Sequence, residues 1–192
     1  VVYSVSFQPY IEWTWSEQWS EIASGLSSSA QNLEAAGADF LVIATNTMHI
    51  VIEDIRKSVQ IPILSLLDVV GNAITEKGLK TVGLLGTKFT MEKTFYPEAM
   101  ALKGVKVITP DPEDQELINT IIYEELVAGK ILNQSRIEFV NIINKLIANG
   151  AEGIILGCTE IPLLIHASDV DITLFDTTCL HAEAALSFAL DE

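Results

Sequence analysis

The stretch AAGADFLVIATNTMHIVI (35–52) lies over ANGAEGIILGCTEIPLLI (148–165). Both read as helix end, glycine-alanine-acid, apolar strand, small residue and polar triplet. In this register Thr45 falls on Cys158. The next apolar stretches, IPILSLLD (61–68) and ITLFDTTC (172–179), keep a similar spacing. A chain that repeats strand, turn and helix is confined to a narrow set of folds. Parallel strands need a long crossover, and the helix supplies it. The repeat therefore predicts an α/β protein made of two related halves.

Strand candidates are Val1–Phe7, Phe40–Ala44, Ile61–Leu66, Thr81–Leu85, Val105–Ile108, Gly153–Leu156 and Ile172–Phe175. Amphipathic helical runs lie between them, including Trp19–Ala36, Gln115–Ala128 and Arg136–Asn149. Gly37, Gly78, Gly104 and Gly150 sit where a helix must stop before the next strand. The expected division is a first domain of 1–78 plus 177–192 and a second of 79–176. Aligning the halves matches VVYSVSF (1–7) to VKVITP (105–110). That register predicts a further strand and helix ahead of Val1, the counterpart of 81–104.

Composition narrows the function. The formal charge of −15 argues against nucleic acid or an anionic membrane as a partner. The apolar runs fall short of a membrane span. Two cysteines, Cys158 and Cys179, make no disulfide framework, which points to a reducing cytoplasm. No Cys/His spacing suggests a metal site.

Four strands end in a hydroxyl- or thiol-bearing turn: ATNT (44–47), GTKFT (86–90), GCTE (157–160) and DTT (176–178). In a parallel α/β sheet such turns share one edge, where ligands bind. Each opens a helix whose free N–H groups favour an anion. Taken singly, each turn reads as an N-cap; taken together, they predict a site for a small anion. Cys158 at such a turn is expected to have a lowered thiol pKa and to serve as a nucleophile or proton carrier. Cys179 falls inside the last helix pattern, where a thiol packs. His49 and His181 each follow one of these turns, and His166 lies in a polar loop.

TNTMH (45–49), GLLGTKFTM (83–91), IIYEELVAG (121–129), GIILGCTEIPLLI (153–165) and FDTTCLHAEAAL (175–186) resemble signature segments of the aspartate/glutamate racemase superfamily, in family order. The resemblance implies two pseudo-symmetric α/β domains, each a parallel sheet flanked by helices, with the active site in the cleft between them. It implies an amino-acid substrate, no cofactor, no metal and a homodimer. Two bases would work on opposite faces of the substrate Cα, at Thr45 and Cys158. Asn46, Thr47, Thr87 and Thr159 match positions that hold the substrate, and Glu160 one that orients a neighbour. His181 stands as a further polarising group.

Three positions depart from the pattern. Thr45 stands where relatives usually carry the first cysteine, and a hydroxyl is a far weaker acid than a thiol. A slow or direction-biased racemase, a one-sided enzyme of the decarboxylase kind, and an amino-acid binder all remain open. Val127 falls where aspartate-specific relatives place a lysine. Around Gln8, in SFQPY, no arginine marks the end of the first strand. An unpaired dicarboxylate is costly to desolvate, so a strict aspartate enzyme is disfavoured unless Lys88 or a preceding segment supplies the charge.

Overall fold

The structure is a computed structural model, and residues 1–190 are described. The helices are α1 (Phe7–Trp15), α2 (Trp19–Ala35), α3 (Ile52–Ser58), α4 (Leu66–Glu76), α5 (Lys88–Glu92), α6 (Phe95–Ala101), α7 (Pro112–Ile121), α8 (Asn133–Ala148), α9 (Ile161–Leu164) and α10 (Thr177–Leu190). The strands are β1 (Leu41–Val42), β2 (Ile63–Leu64), β3 (Thr81–Leu85), β4 (Lys106–Ile108), β5 (Gly153–Leu156) and β6 (Thr173–Asp176). No helix among the described residues is long and apolar enough to cross a membrane.

Two compact units divide the chain. The first holds Val1–Ala44 and Met48–Ser65; the second holds Thr45–Thr47 and everything from Leu66 on. In the first, β1 and β2 pair in parallel, Leu41 opposite Ile63. Its core gathers Ile22, Ala30, Leu41, Val51, Ile52, Ile55, Val59 and Ile63. In the second, four parallel strands run in the order β4-β3-β5-β6.

The central strands of that sheet are buried on both faces, and their sequence shows why. Side chains alternate across a strand. Ile154 and Leu156 of β5 and Leu85 of β3 join one core under α7, α8 and α9. Ile155, Val82 and Leu84 join the other, with Leu66, Val70 and Ile74 of α4 and Tyr96 and Met100 of α6. A strand with helices on both sides needs a continuous apolar run, which VGLL and GIIL provide.

Helix ends follow local chemistry. Asp111 caps α7, its carboxylate accepting from the Asp114 N–H at 3.0 Å, with Pro112 in the first turn. Asp176 does the same for α10, accepting from Thr178 and Cys179 at 2.9 and 3.1 Å. Gly37, Gly78, Gly104 and Gly150 all adopt positive φ, as a helix-ending glycine should.

Three expectations need correction. Val1–Phe7 forms no strand: residues 1–6 lack regular structure, and Phe7 begins α1. A strand needs a hydrogen-bonding neighbour, and none of the described strands pairs with it. The run expected as one helix from Gln115 to Ala128 changes at Ile122 into a π turn through Leu126. Its wider path buries both Ile122 and Leu126. Glu125 is tied to the Ser135 hydroxyl of α8. Finally, 66–78 and α10 were expected in the first domain, yet they group with the four-stranded sheet. Leu66, Leu67, Val70 and Ile74 share one core with Phe175 and Val82. Positions 191–192 of the expected first domain lie outside the described residues.

Candidate active site

The turn after β5 presents Cys158. Gly157 brings it there by a close approach to β3: its N–H donates to the Leu85 carbonyl at 2.7 Å. A Cβ on Gly157 would lie 2.9 Å from that same oxygen, so only glycine fits without a shift. Cys158 is 9% exposed, and its Sγ donates to Glu160 Oε2 at 2.9 Å. Thr159 Oγ1 donates to the same carboxylate oxygen at 2.7 Å.

The thiol is pushed up to about 12, first by burial and then by the Glu160 carboxylate; the backbone N–H groups of Thr159 and Glu160 pull the other way and lose. This corrects the expectation of an activated thiolate at a helix N-terminus. The helix that follows, α9, is four residues long, so little dipole accumulates. Tyr123, on the π turn, lies close enough to feel this pair. Burial, then the charges at Cys158 and Glu160, raise its hydroxyl above the usual range. The π turn, a form often found at functional sites, packs against α9.

A second constellation gathers the residues of the first polar triplet. Asn46 is 4% exposed. Its Nδ2 donates to Thr177 Oγ1 at 3.1 Å, and its Oδ1 accepts from the Tyr96 hydroxyl at 2.7 Å. Thr177 in turn donates to the Leu156 carbonyl at 2.9 Å, tying Asn46 to the end of β5. Thr47 and Thr87 each lie 3.1 Å from the hydroxyl of buried Thr90. A Cβ on Gly157 would meet the Thr90 methyl at 3.4 Å, so the threonine chain borders the Cys158 turn. His181 is buried one helical turn after Thr177, on the same face of α10.

Other expected residues lie apart. Gln8 is on α1, exposed and hydrogen-bonded to Glu12 at 2.7 Å. Val127 is 57% exposed just past the π turn. Lys88 is paired with Glu116 at 2.8 Å, so its charge is already balanced. Thr45 is half-buried and opens the segment 45–47 that packs with the second unit. Cys179 is exposed rather than packed, with Asp176 raising its thiol. Four residues of the constellations were not singled out from sequence. Thr90 and Thr177 sit in quoted turns and Tyr123 in a quoted segment, but Tyr96 gave no signal short of the fold.

The comparisons with known proteins agree with one another. A Yersinia pestis structure described as a candidate Asp/Glu racemase matches 99% of the chain and 83% of its own length, with 44% identity and a TM-score of 0.92. An aspartate racemase homologue from Pyrococcus horikoshii OT3 matches 98% of the chain and 82% of its own length, with 36% identity and a TM-score of 0.87. The broad specificity amino-acid racemase RacX of Bacillus subtilis is 25% identical over 167 residues, 87% of this chain and 72% of RacX. The family model for Asp/Glu/Hydantoin racemase matches residues 1–185, and the chain belongs to that family.

Proposed function

We propose that this protein is an amino-acid racemase that uses neither pyridoxal phosphate nor metal, with Cys158 carrying the α-proton on one face of the substrate. The observation that carries the reading is the Cys158 Sγ–Glu160 Oε2 hydrogen bond of 2.9 Å, set at the end of β5 beside the threonine chain. Family membership supports the reaction class.

A thiol pushed up to about 12 is protonated at neutral pH. To act as base, Cys158 first passes its proton to Glu160. The thiolate then takes the Cα proton, leaving a carbanion, a thiol and a protonated Glu160. Returning the proton from Cys158 regenerates the same enantiomer. Inversion needs a proton from the other face, where Thr45 stands. A threonine hydroxyl left as alkoxide is costly, so inversion there goes through water and is slower than exchange. Asn46 supplies a donor that holds the carboxylate in ground and transition state alike, and Thr47, Thr87 and Thr159 line the site with hydroxyls that help stabilise the developing charge. Val127 and the paired Lys88 offer no free cation for a second carboxylate, which favours a broad or neutral substrate over a strict aspartate. The family resemblance adds a homodimer to this reading, and the two free cysteines a cytoplasmic location.

The test is α-proton exchange in deuterated water, read by proton NMR on both enantiomers of a panel of amino acids, with optical rotation alongside. One enantiomer should lose its Cα–H signal faster than its mirror image accumulates, and Cys158→Ser should abolish both processes. Exchange that persists in Cys158→Ser removes Cys158 from the mechanism. A second reading, an amino-acid binder without turnover, is favoured by Thr45 alone. It requires ligand-dependent thermal stabilisation with no exchange at either enantiomer.

A further inference from the structure

Asn46 is a buried polar side chain whose two ends are separately held, and the holding fixes which way round it points. The Thr177 hydroxyl is 2.9 Å from the Leu156 carbonyl, an acceptor only, so its proton is committed there. Toward Asn46, 3.1 Å away, Thr177 can only accept. The amide must therefore present its nitrogen to Thr177 and its oxygen to Tyr96, whose hydroxyl lies at 2.7 Å and can donate. The ambiguity that usually attends a side-chain amide is removed by the network.

From this we propose that Tyr96 is a positioning residue for substrate binding: by holding the Asn46 oxygen, it leaves the second Asn46 N–H as the group offered to the substrate, which makes Asn46 a donor to the substrate carboxylate rather than a partner of its ammonium. The proposal rests on the racemase reading above. Tyr96 is fully buried on α6, and burial raises its hydroxyl well above the ordinary range, so it stays a donor throughout the working pH. Without that hydroxyl, the buried Asn46 oxygen loses its donor and the amide is no longer locked.

The test uses Tyr96→Phe, which removes one atom from an intact core. In 15N-labelled protein, the Asn46 side-chain amide pair is identified by its loss in Asn46→Ala. It should shift and broaden in Tyr96→Phe, whereas an unchanged pair overturns the positioning role whatever the substrate. With an amino acid that the wild type exchanges, KM should rise about tenfold or more, the scale of a lost hydrogen bond to a charged group. The turnover number should change less than about threefold, as for a contact made equally in ground and transition states. A fall in turnover with KM unchanged overturns the proposal, because a purely structural loss would look like that. Should Tyr96→Phe fail to fold, Thr177→Val breaks the same lock from the other side and should move the same amide signals. Thr177→Ser keeps the acceptor and should leave them in place. A wild type that exchanges no amino acid sinks the racemase reading instead, and the amide signals still decide the orientation.

Discussion

At the scale of residues, Cys158 shows how one position can be located from sequence while its chemistry is misjudged. The strand-end turn was legible in GIILGCTE. What the letters did not show is that the following helix would stop after one turn and that the thiol would be buried against Glu160. A helix terminus is worth about 0.3–1 kcal/mol, whereas burying an ion costs several kcal/mol. The raised value therefore follows from magnitudes. An unfolded thiol titrates near 8.5, and the folded one near about 12. The folded state keeps its proton where the unfolded state has lost it, so this group's stabilisation is full below about pH 8.5 and fades as pH rises toward 12. Glu160→Gln keeps a carbonyl that can accept from the thiol but removes the basic carboxylate and its negative charge. In a Cys179→Ser background, it should make Cys158 react with iodoacetamide several-fold faster at pH 8, followed by mass spectrometry. A slower reaction would mean that Glu160 is not what holds the proton on sulfur. The same variant should slow α-proton exchange without abolishing it, since the thiol proton must then leave to solvent rather than to a carboxylate beside it. Thr45→Cys tests the other face: a second thiol should raise inversion until it approaches the exchange rate, and an unchanged ratio of the two would dismiss Thr45 as the missing partner.

Elements, rather than single residues, decide whether the site has a shape. The ends of β3 and β5 approach so closely at Gly86 and Gly157 that a Cβ on Gly157 would sit 2.9 Å from the Leu85 oxygen and 2.9 Å from a Leu84 methyl. Gly157→Ala should cost roughly 1–3 kcal/mol, as overpacking of a rigid contact does. Its unfolding midpoint in urea should drop accordingly. Because the strain lands on the residue before Cys158, exchange should fall further than stability alone explains. A variant with wild-type stability and exchange would show that the approach is not tight. This strand pair was readable because both members are buried on two faces, and a continuous apolar run admits few other readings. Thr81–Leu85 and Gly153–Leu156 accordingly match their predicted bounds. Val1–Phe7 misled because alternation of valine and serine satisfies a strand pattern, while strand formation depends on a neighbour that local sequence cannot show. The π turn was missed for a related reason. Its apolar spacing fits an ordinary helix, and the widening appears only with the Ser135–Glu125 contact and the packing of Ile122 and Leu126. Tyr96 belongs to the same class, since its partner Asn46 is fifty positions away in the chain.

On the scale of the whole molecule, the two units differ in how much each has to hold it together. The first relies on a pair of two-residue strands and one core. The second wraps two cores around a four-stranded sheet whose central strands are shielded from water on both faces. Amide exchange reads out local opening, and opening is easiest where few apolar contacts and short ladders resist it. Hydrogen–deuterium exchange should therefore find the amides of Leu84, Leu85, Ile155 and Leu156 among the most protected in the chain. The Leu41 amide, though bonded to the Pro62 carbonyl at 2.9 Å, should exchange at least about a hundredfold faster. Added salt should slow exchange in both units. With 26 acidic and 11 basic side chains, each carries excess like charge, and screening over a Debye length of about 10 Å at 0.1 M relieves it. Equal protection of Leu41 and Ile155 would mean that the first unit draws on stabilisation its own core does not account for. The protected set matters for function because β3 and β5 carry the turns that end in Thr87 and Cys158. The donor array proposed above would have to meet a substrate carboxylate within a few tenths of an ångström, and such an array belongs on the part of the chain that opens least.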